Sequence, residues 1–591
     1  MIRSLAALLL GGLLLTAAAS AAPLREIRTS AGGRIRTLDP AFADDLASRN
    51  LVCAVYDTLL EYDYDARPYR LKPAMLKRMP EGENGFRSYH FELRDDLYFA
   101  DDPVFRGKKR KVTSRDVLFS ILRLADARNH SPLYWLFRGR IVGLDAFHAR
   151  SADVKKGDMR LYDAGVEGFR ILSDTEFVID LASPDPRFLY ALAMPNSAVV
   201  PREAVDHYGE SFARHPVGSG PFLLREWISD CRIVLERNHN CRKEFYPGAA
   251  SKADRVRPLP LADRIVILLV RQSMTAWMLF LQGNLDCQTL DKDNADLAGG
   301  GDLPPVLKAR RIRLQRVPEF EIRYIGFNFA DPRFAGNDKL RQALSLAFSA
   351  RRRIEHSGNQ LLAACGPIPP GVAGYDERLA NPWMEHDVEK AKKLLAEAGF
   401  PGGVDPATGK RLKFTFDQTG HTSSHRQFGE ITAAEFAELG IELVPVLNNN
   451  PRFYEKLRGG KMELFRLSWI GDYPDAENFL QLFYSGNIGG CNRTGFSDPV
   501  FDRMFEEILP MPDSPERTAK YRKMADYIAR RCVWICEGFP VSYQLNHAWL
   551  ENFRPHDFGF ARWKYLSVDT ALRDELKKSF TPVKMSELVG R

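Results

Sequence analysis

One aspartate stands between aromatic residues in a stretch of the chain that is otherwise largely apolar. Residues 466–483 read RLSWIGDYPDAENFLQLF, and Asp472 lies between Trp469 and Tyr473. A carboxylate in such surroundings is costly unless a cation pairs with it. That cation comes either from the protein or from a ligand. In a closed cleft, a carboxylate and an ammonium group form a short and strong hydrogen bond. Asp472 is therefore the first candidate for contact with a positively charged ligand.

Other motifs give little support for catalysis, metal binding or nucleic-acid binding. RGKKRKV (106–112) directly precedes a capped helix and is typical of a solvated loop. PGGVDPATGKR (401–411) lacks the first glycine of a phosphate-binding loop and has Arg411 where Ser or Thr must hold magnesium. HTSSH (421–425) lacks the glutamate of a zinc-protease motif. We expect no catalytic set, no metal, no cofactor and no nucleic-acid partner.

The bulk properties and the N-terminus predict an exported protein of several domains. The chain has 591 residues and a formal charge of +7, which is small for this length. Such a chain is too long for one hydrophobic core. Arg3, the apolar run LAALLLGGLLL and the small residues before Pro23 form a cleavable signal peptide, 1–22. Since no cysteine stands at the cleavage point, no lipid anchor is predicted, and the location is periplasmic.

Export also bears on the cysteines, because disulfides persist in oxidising compartments. The chain has eight cysteines. Cys231 and Cys241 bracket RIVLERNHN, which suggests a disulfide that clips a hairpin. The remaining connectivity is not defined by the sequence.

Amphipathic helices and strand-like runs alternate along the chain and must position the candidate residues. Helices are predicted at 113–126, from Asp338 onward and at 387–401. Strands are predicted at 88–94, 176–181, 264–270, 321–329 and 412–417. Because strands and helices do not alternate strictly, the pattern predicts a mixed α/β (α+β) fold. The Gly- and Pro-rich segment 289–306 predicts a domain boundary or an exposed loop.

Eight segments occur in an order that is typical of one family. They are LDPAFADD, VYDTLLEYD, KVTSRDVLFSILRL, HPVGSGPFLLREW, IGFNFADPRFAGNDKLRQALSLAFS, PIPPGVAGYD, AKKLLAEAGFPGG and SWIGDYPDAENFL. Together they span about residues 35–570 and resemble the bacterial extracellular solute-binding proteins of family 5, the peptide-binding components of ABC importers. Ser219 stands where the family usually has threonine, and Ser349-Ala350 replaces a common aspartate. The ligand is therefore less defined than the fold.

The resemblance implies two lobes joined by two crossover segments that close over a ligand, with an extra N-terminal domain. It places lobe I at 23–50, 170–290 and 545–591, the extra domain at 51–169, and lobe II at 291–544. It also implies a membrane permease as partner, a monomeric receptor and no enzymatic activity.

The same resemblance assigns roles to individual residues. In oligopeptide binders of the family, the aspartate of W-x-x-D-Y holds the peptide amino terminus, and here that position is Asp472. Arg466 matches an arginine that helps to hold the carboxylate end of some peptides. Arg466 and Asp472 share one parity, so both face the cleft if the chain stays extended. The main chain of Ser468 and Ile470 is then available to the peptide backbone.

Trp469 and Tyr473 are expected to exclude water around the ligand, and Asp57, in VYDTLL, is a further candidate. Alternative roles remain open: Asp472 pairs with a structural arginine, Arg466 lies on the surface, or Trp469 packs in the core. The alternative functions are a non-peptide solute (an oligosaccharide, an opine-like compound or a metal chelate) and an exported hydrolase.

Overall fold

The computed structural model describes residues 23–32, 35–155, 158–290, 303–420, 422–558, 561–584 and 587–588. The predicted signal peptide, 1–22, His421 and most of the predicted boundary at 289–306 lie outside the described residues. No helix among the described residues is long and apolar enough to cross a membrane.

The strands fall into one large sheet, two four-stranded sheets and several short hairpins. Their bounds are β1 Glu26–Ala31, β2 Leu60–Tyr62, β3 Leu71–Pro73, β4 Gly82–Glu83, β5 Ser88–Glu92, β6 Phe169–Ile171, β7 Glu176–Asp180, β8 Phe222–Ile228, β9 Arg232–Arg237, β10 Arg264–Leu269, β11 Cys287–Leu290, β12 Arg313–Pro318, β13 Glu321–Phe327, β14 Leu361–Leu362, β15 Val404–Asp405, β16 Lys410–Arg411, β17 Lys413–Thr419, β18 Glu442–Asn448, β19 Leu464–Ile470, β20 Trp534–Asn546, β21 Leu550–Glu551 and β22 Ser567–Val568.

The α-helices pack against these sheets. Their bounds are α1 Leu46–Val55, α2 Ser114–Ala125, α3 Leu144–Ala152, α4 Arg160–Ala164, α5 Phe188–Ala191, α6 Arg202–Tyr208, α7 Lys252–Arg255, α8 Ser273–Leu281, α9 Pro305–Ala309, α10 Pro332–Ala335, α11 Asp338–Ala347, α12 Ala350–His356, α13 Val388–Glu397, α14 Ser423–Ala437, α15 Asn450–Arg458, α16 Glu477–Leu480, α17 Pro499–Ile508, α18 Pro515–Arg531 and α19 Thr570–Lys577.

The large sheet has the strand order β11-β20-β13-β19-β17-β18, and β12 and β14 also pair with β20. Strand β20 is unusually long, with 13 residues. Its first residues pair with β13 and its last residues pair with β11 and β12. The chain passes from β12 to β13 alongside it, through Glu319 and Phe320. Two neighbouring segments therefore connect the two ends of this sheet.

The two four-stranded sheets have the orders β1-β10-β9-β8 and β4-β5-β7-β6. The first combines strands from the chain start and from residues 222–269, with β1 parallel to β10. One large hydrophobic cluster joins elements from both sheets with Ile322 of β13 and with Phe320, which directly precedes β13. A second cluster fills the space between β13, β17, β18 and the helices α11 and α14.

The helices and strands that the sequence predicted are confirmed. Helix α2 begins with the predicted capping box, in which Asp116 accepts a hydrogen bond from the main-chain N–H of Thr113 at 2.8 Å. Helix α13 begins at the predicted N-cap, Asp387, and is followed by Gly399 with a positive φ of 96°. The fold is mixed α/β, as predicted.

The predicted disulfide between Cys231 and Cys241 is wrong. All eight cysteines are free thiols. Strand β9 runs between Cys231 and Cys241, and six residues at about 3.3 Å each place the two main chains roughly 20 Å apart. A disulfide requires Cα atoms within about 7 Å. The two cysteines flank a strand instead of meeting across a hairpin.

Candidate ligand-binding site

Strand β19 carries four of the candidate residues and is paired on one side along its whole length. Its partner on that side is β13, with Ile470 opposite Glu321 and Arg466 opposite Ile325. On the other side β17 pairs only with Leu464 and Phe465. Within the part of the chain that the structure describes, the edge of residues 466–470 therefore has no strand partner. An unpaired edge offers N–H and C=O groups to an extended peptide.

The side chains of β19 divide between the two faces of the sheet. Ser468 is exposed and Ile470 is 60% exposed. Trp469 is half-buried against the main core, and its indole Nε1 donates to Asn478 Oδ1 at 2.9 Å. The sequence left open whether Trp469 packs in the core or contacts a ligand, and the structure shows that part of its ring packs against the core.

Asp472 lies just beyond the strand, which ends at Ile470. Gly471 N donates to Phe320 O at 2.9 Å, and the main-chain N–H of Asp472 turns towards Asn478 Oδ1 at 3.1 Å. The extended chain assumed for the shared parity of Arg466 and Asp472 therefore stops at residue 470.

The Asp472 carboxylate is half-buried and has no ion pair among the described residues. Burial raises its pKa, and the Arg49 guanidinium and the Asn478 amide offset only part of that rise. Arg49 is near enough to act on this acid electrostatically, but no arginine among the described residues forms an ion pair with it. Its charge is available for a cationic group of a ligand.

Several aromatic side chains lie in the neighbourhood of Asp472. Tyr473 is buried, donates its hydroxyl to Glu477 Oε2 at 2.6 Å and stacks on Tyr190 with ring centroids 5.5 Å apart. Tyr62 stacks on the same Tyr190 ring at 6.4 Å, and the charge of Asp472 contributes to its raised pKa. Burial among such groups lowers the local dielectric constant, which strengthens any charge-assisted bond that Asp472 makes.

Arg466 has an internal partner. Its Nε and Nη2 atoms donate to the two carboxylate oxygens of Glu537 at 2.7 and 2.5 Å, and its guanidinium lies 3.9 Å from the centre of the Phe428 ring. Burial alone would raise the pKa of Glu537, but Arg466 and then Arg323 and Arg353 hold it below its ordinary value. The guanidinium is thus neutralised within the protein instead of lying free on the surface.

Asp57 belongs to a group of buried charges that we call the charge cluster: Asp57, Glu61, Arg242, Glu244 and Lys564. Asp57 accepts from Ser219 Oγ at 3.2 Å, and Arg242 Nε is 3.4 Å from its other oxygen. Lys564 Nζ lies 2.8 Å from Glu61 and 2.7 Å from Glu244. Burial raises the pKa of Asp57 despite the nearby cations. The cavity beside it is about 30 Å³, so it has room for water and not for a solute.

A larger cavity of about 210 Å³ lies over β13, β19 and β20. Its lining includes Arg466 and also Glu319, Arg323, Arg353 and Glu537. The sequence had not identified these last four residues, because they come from separate segments. One signal was available: in EFEIRY, Glu319, Glu321 and Arg323 alternate at the spacing of a strand face.

Comparison with known proteins identifies the family of the chain. A family model described as bacterial extracellular solute-binding proteins, family 5 Middle, matches residues 70–490. The heme-binding protein A of Haemophilus influenzae is 26% identical over 527 residues, which cover 87% of each chain. The periplasmic oligopeptide-binding protein OppA of Salmonella typhimurium is 24% identical over 541 residues, or 89% of each chain.

Solved structures show the same fold. The periplasmic binding protein DppA of Helicobacter pylori, in complex with the peptide STSA, matches with a TM-score of 0.69 and 21% identity, over 93% of this chain and 98% of that one. A family of solute-binding proteins provides binding and not catalysis, so the chain is not an enzyme. The protein belongs to the bacterial extracellular solute-binding proteins of family 5, the family that its sequence motifs resemble.

Proposed function

We propose that this protein is a periplasmic receptor that captures peptides, in particular oligopeptides, and delivers them to an ABC importer in the membrane. In this proposal the signal peptide 1–22 directs export, and the mature protein is a monomer without a lipid anchor. The names of the Salmonella relative and of the Helicobacter structure support a peptide ligand and a periplasmic location.

The proposed receptor has two lobes that close over the ligand. Lobe I comprises 23–50, 170–290 and 545–591, with the extra domain at 51–169 and lobe II at 291–544. The long strand β20 and the link from β12 to β13 would be the two crossovers. Their side-by-side position in one sheet supports a hinge at this point, because a few residues between rigid elements absorb the rotation.

The observation that carries the proposal is the state of Asp472. It is a half-buried carboxylate without an ion pair in the described residues, at the end of a strand with an open edge. A peptide offers an ammonium terminus and a line of backbone groups, and these match the acid and the edge. Ser468 and Ile470 would supply backbone contacts, while Trp469 and Tyr473 would exclude water.

The test combines a change in the protein with a matched change in the ligand. Calorimetric titration compares free and N-acetylated tri-, tetra- and pentapeptides on the wild type and on Asp472→Asn. We expect at least a tenfold loss of affinity for free peptides on the variant, because a buried charge-assisted bond contributes about 1.5–3 kcal/mol. Acetylated peptides should bind both proteins equally weakly. Asp574→Asn, at an exposed position of α19, is the control.

Two results would contradict this reading in different ways. If free peptides bind both proteins equally well, Asp472 does not hold the amino terminus. If no peptide raises the thermal midpoint while heme, an oligosaccharide or a metal chelate does, the ligand is a non-peptide solute. The name of the Haemophilus relative, a heme-binding protein, makes heme a necessary member of that second set.

A further inference from the structure

The cavity of about 210 Å³ is large enough for a side chain of a ligand. A single water needs about 10–15 Å³ measured in the same way. Strand β11 contributes Thr289 and Leu290 to its wall, and helix α14 contributes Ser424 and Phe428. The remaining wall comes from the sheet, including Arg466 of the strand whose edge is open. The cavity is therefore next to the proposed path of a bound peptide.

The guanidinium groups at this cavity are already neutralised. Arg323 donates to Glu321 at 2.9 Å, and Arg466 is held by both oxygens of Glu537. Arg353 makes a third pair, with its Nη2 atom 2.6 Å from an oxygen of Glu435. Because each cation has a carboxylate in contact, the cavity does not present free positive charge to an anionic group.

One carboxylate at the cavity has no such partner. Glu319 donates its main-chain N–H to Pro540 O at 2.8 Å, but its side chain forms no hydrogen bond or ion pair with the described residues. Burial raises its pKa to about 7, the negative charges of Glu321 and Asp557 add to the rise, and Arg323 offsets part of it. The cavity thus carries one uncompensated acidic group.

Glu319 is also close to Asp472 in the fold. It precedes Phe320, whose carbonyl accepts from Gly471, and Gly471 directly precedes Asp472. Glu319 lies in the link between β12 and β13, which we propose as one of the crossovers. A ligand group that reaches Glu319 would therefore contact the protein where the lobes meet.

We propose that this cavity receives a basic side chain of the bound peptide, a lysine ammonium or an arginine guanidinium, and that Glu319 is its counter-ion. This inference rests on the proposed peptide function and specifies the preferred ligands: peptides that carry a basic residue within reach of the cavity. A carboxylate without an internal cation gains more from a ligand cation than one that is already paired.

The preference depends on pH in a defined direction. Glu319 must be ionised to attract a cation, so affinity for basic peptides should rise as the pH increases through about 7. The charged groups that face it are Glu321, Arg323, Arg353, Arg466, Glu537 and Asp557, and His356 also lines the cavity. Because histidine side chains in general titrate near neutral pH, affinity for basic peptides is measured against pH in both the wild type and Glu319→Gln. The difference between the two curves reports Glu319.

The experiment uses tetrapeptides of alanine in which each position in turn is lysine or norleucine, its uncharged analogue. Calorimetry at pH 8 should show that, at one or more positions, the tetrapeptide with lysine binds at least tenfold more tightly than the tetrapeptide with norleucine. Glu319→Gln should reduce that ratio to less than twofold. Glu355→Gln, an exposed acid on α12, should leave it unchanged. The lysine to norleucine ratio in the wild type tests the proposal even if the variant does not fold.

A second arm separates this inference from the peptide function. Cadaverine and 1,5-pentanediol are compared by thermal shift on the wild type and on Glu319→Gln. If peptides bind without a preference for lysine, the basic cavity is wrong and the peptide receptor stands. If no peptide binds, but cadaverine raises the thermal midpoint of the wild type and not that of Glu319→Gln, the cation-binding cavity is supported and the peptide function is wrong. If neither binds, both proposals are overturned.

Discussion

Two groups of buried acids in this molecule differ in what neutralises them. In the charge cluster, Asp57, Glu61 and Glu244 contact Arg242 and Lys564 at 2.6–3.4 Å. At the candidate ligand-binding site, Asp472 and Glu319 have no cation in contact among the described residues. All of these acids are poorly solvated, and the difference lies in their partners.

In the proposals above, this difference distinguishes acids that hold the fold together from acids that receive a ligand cation. When a buried charge is paired, removing its partner strongly lowers the free energy of unfolding. An unpaired one costs stability in the empty protein and regains it when a ligand cation arrives. Burial alone would have grouped Asp57 with Asp472, whereas the contacts separate them.

The largest effect should come from breaking the charge cluster. Arg242→Met leaves Asp57, Glu61 and Glu244 without one of their cations, and we expect a loss of about 3–5 kcal/mol in the free energy of unfolding. Urea denaturation of the empty protein measures it. Arg232→Met, which breaks the exposed pair with Glu226, should cost less than about 1 kcal/mol. If the two variants lose equal free energy of unfolding, the charge cluster stabilises the fold no more than an exposed ion pair does.

A smaller effect is expected at Arg466. Arg466→Met leaves Glu537 buried, but Arg323 and Arg353 remain close, so we expect a loss of about 2 kcal/mol. Calorimetry then compares the affinities of free-acid and C-amidated peptides. If Arg466 binds only Glu537 and not the ligand, the ratio of these two affinities should be the same in the variant and in the wild type. If the wild type prefers free-acid peptides and the variant does not, Arg466 holds the peptide carboxylate, as the family resemblance implies.

The smallest effect concerns Glu319 in the empty protein. Its folded-state pKa of about 7 is above the ordinary value for glutamate, so the folded state binds an extra proton between these two pH values. Stability should therefore fall as the pH rises towards 7. Glu319→Gln lacks this titration, so its stability relative to the wild type should rise between pH 5 and pH 8. Urea denaturation at the two pH values measures this, and a wild type that is the more stable protein at pH 8 would show that Glu319 has a cation partner.

Local sequence determined much of the secondary structure and the family. The capping box of α2, the N-cap and following glycine of α13 and the alternation in β5, β7 and β10 are short-range features, so they were predicted from adjacent residues. Asp472 was identified in the same way, because an acid between aromatic residues is costly wherever the chain goes.

Only the tertiary structure decided which charges are already neutralised. Arg466 and Glu537 lie 71 residues apart in sequence, and Asp57 and Arg242 lie in separate loops, so no local pattern reveals these pairs. The Cys231–Cys241 prediction failed for the same reason, since distance in space depends on whether the intervening residues turn or extend. The sequence thus showed that Asp472 requires a cation, whereas the fold showed that Arg466 and Arg242 are already in contact with other acids.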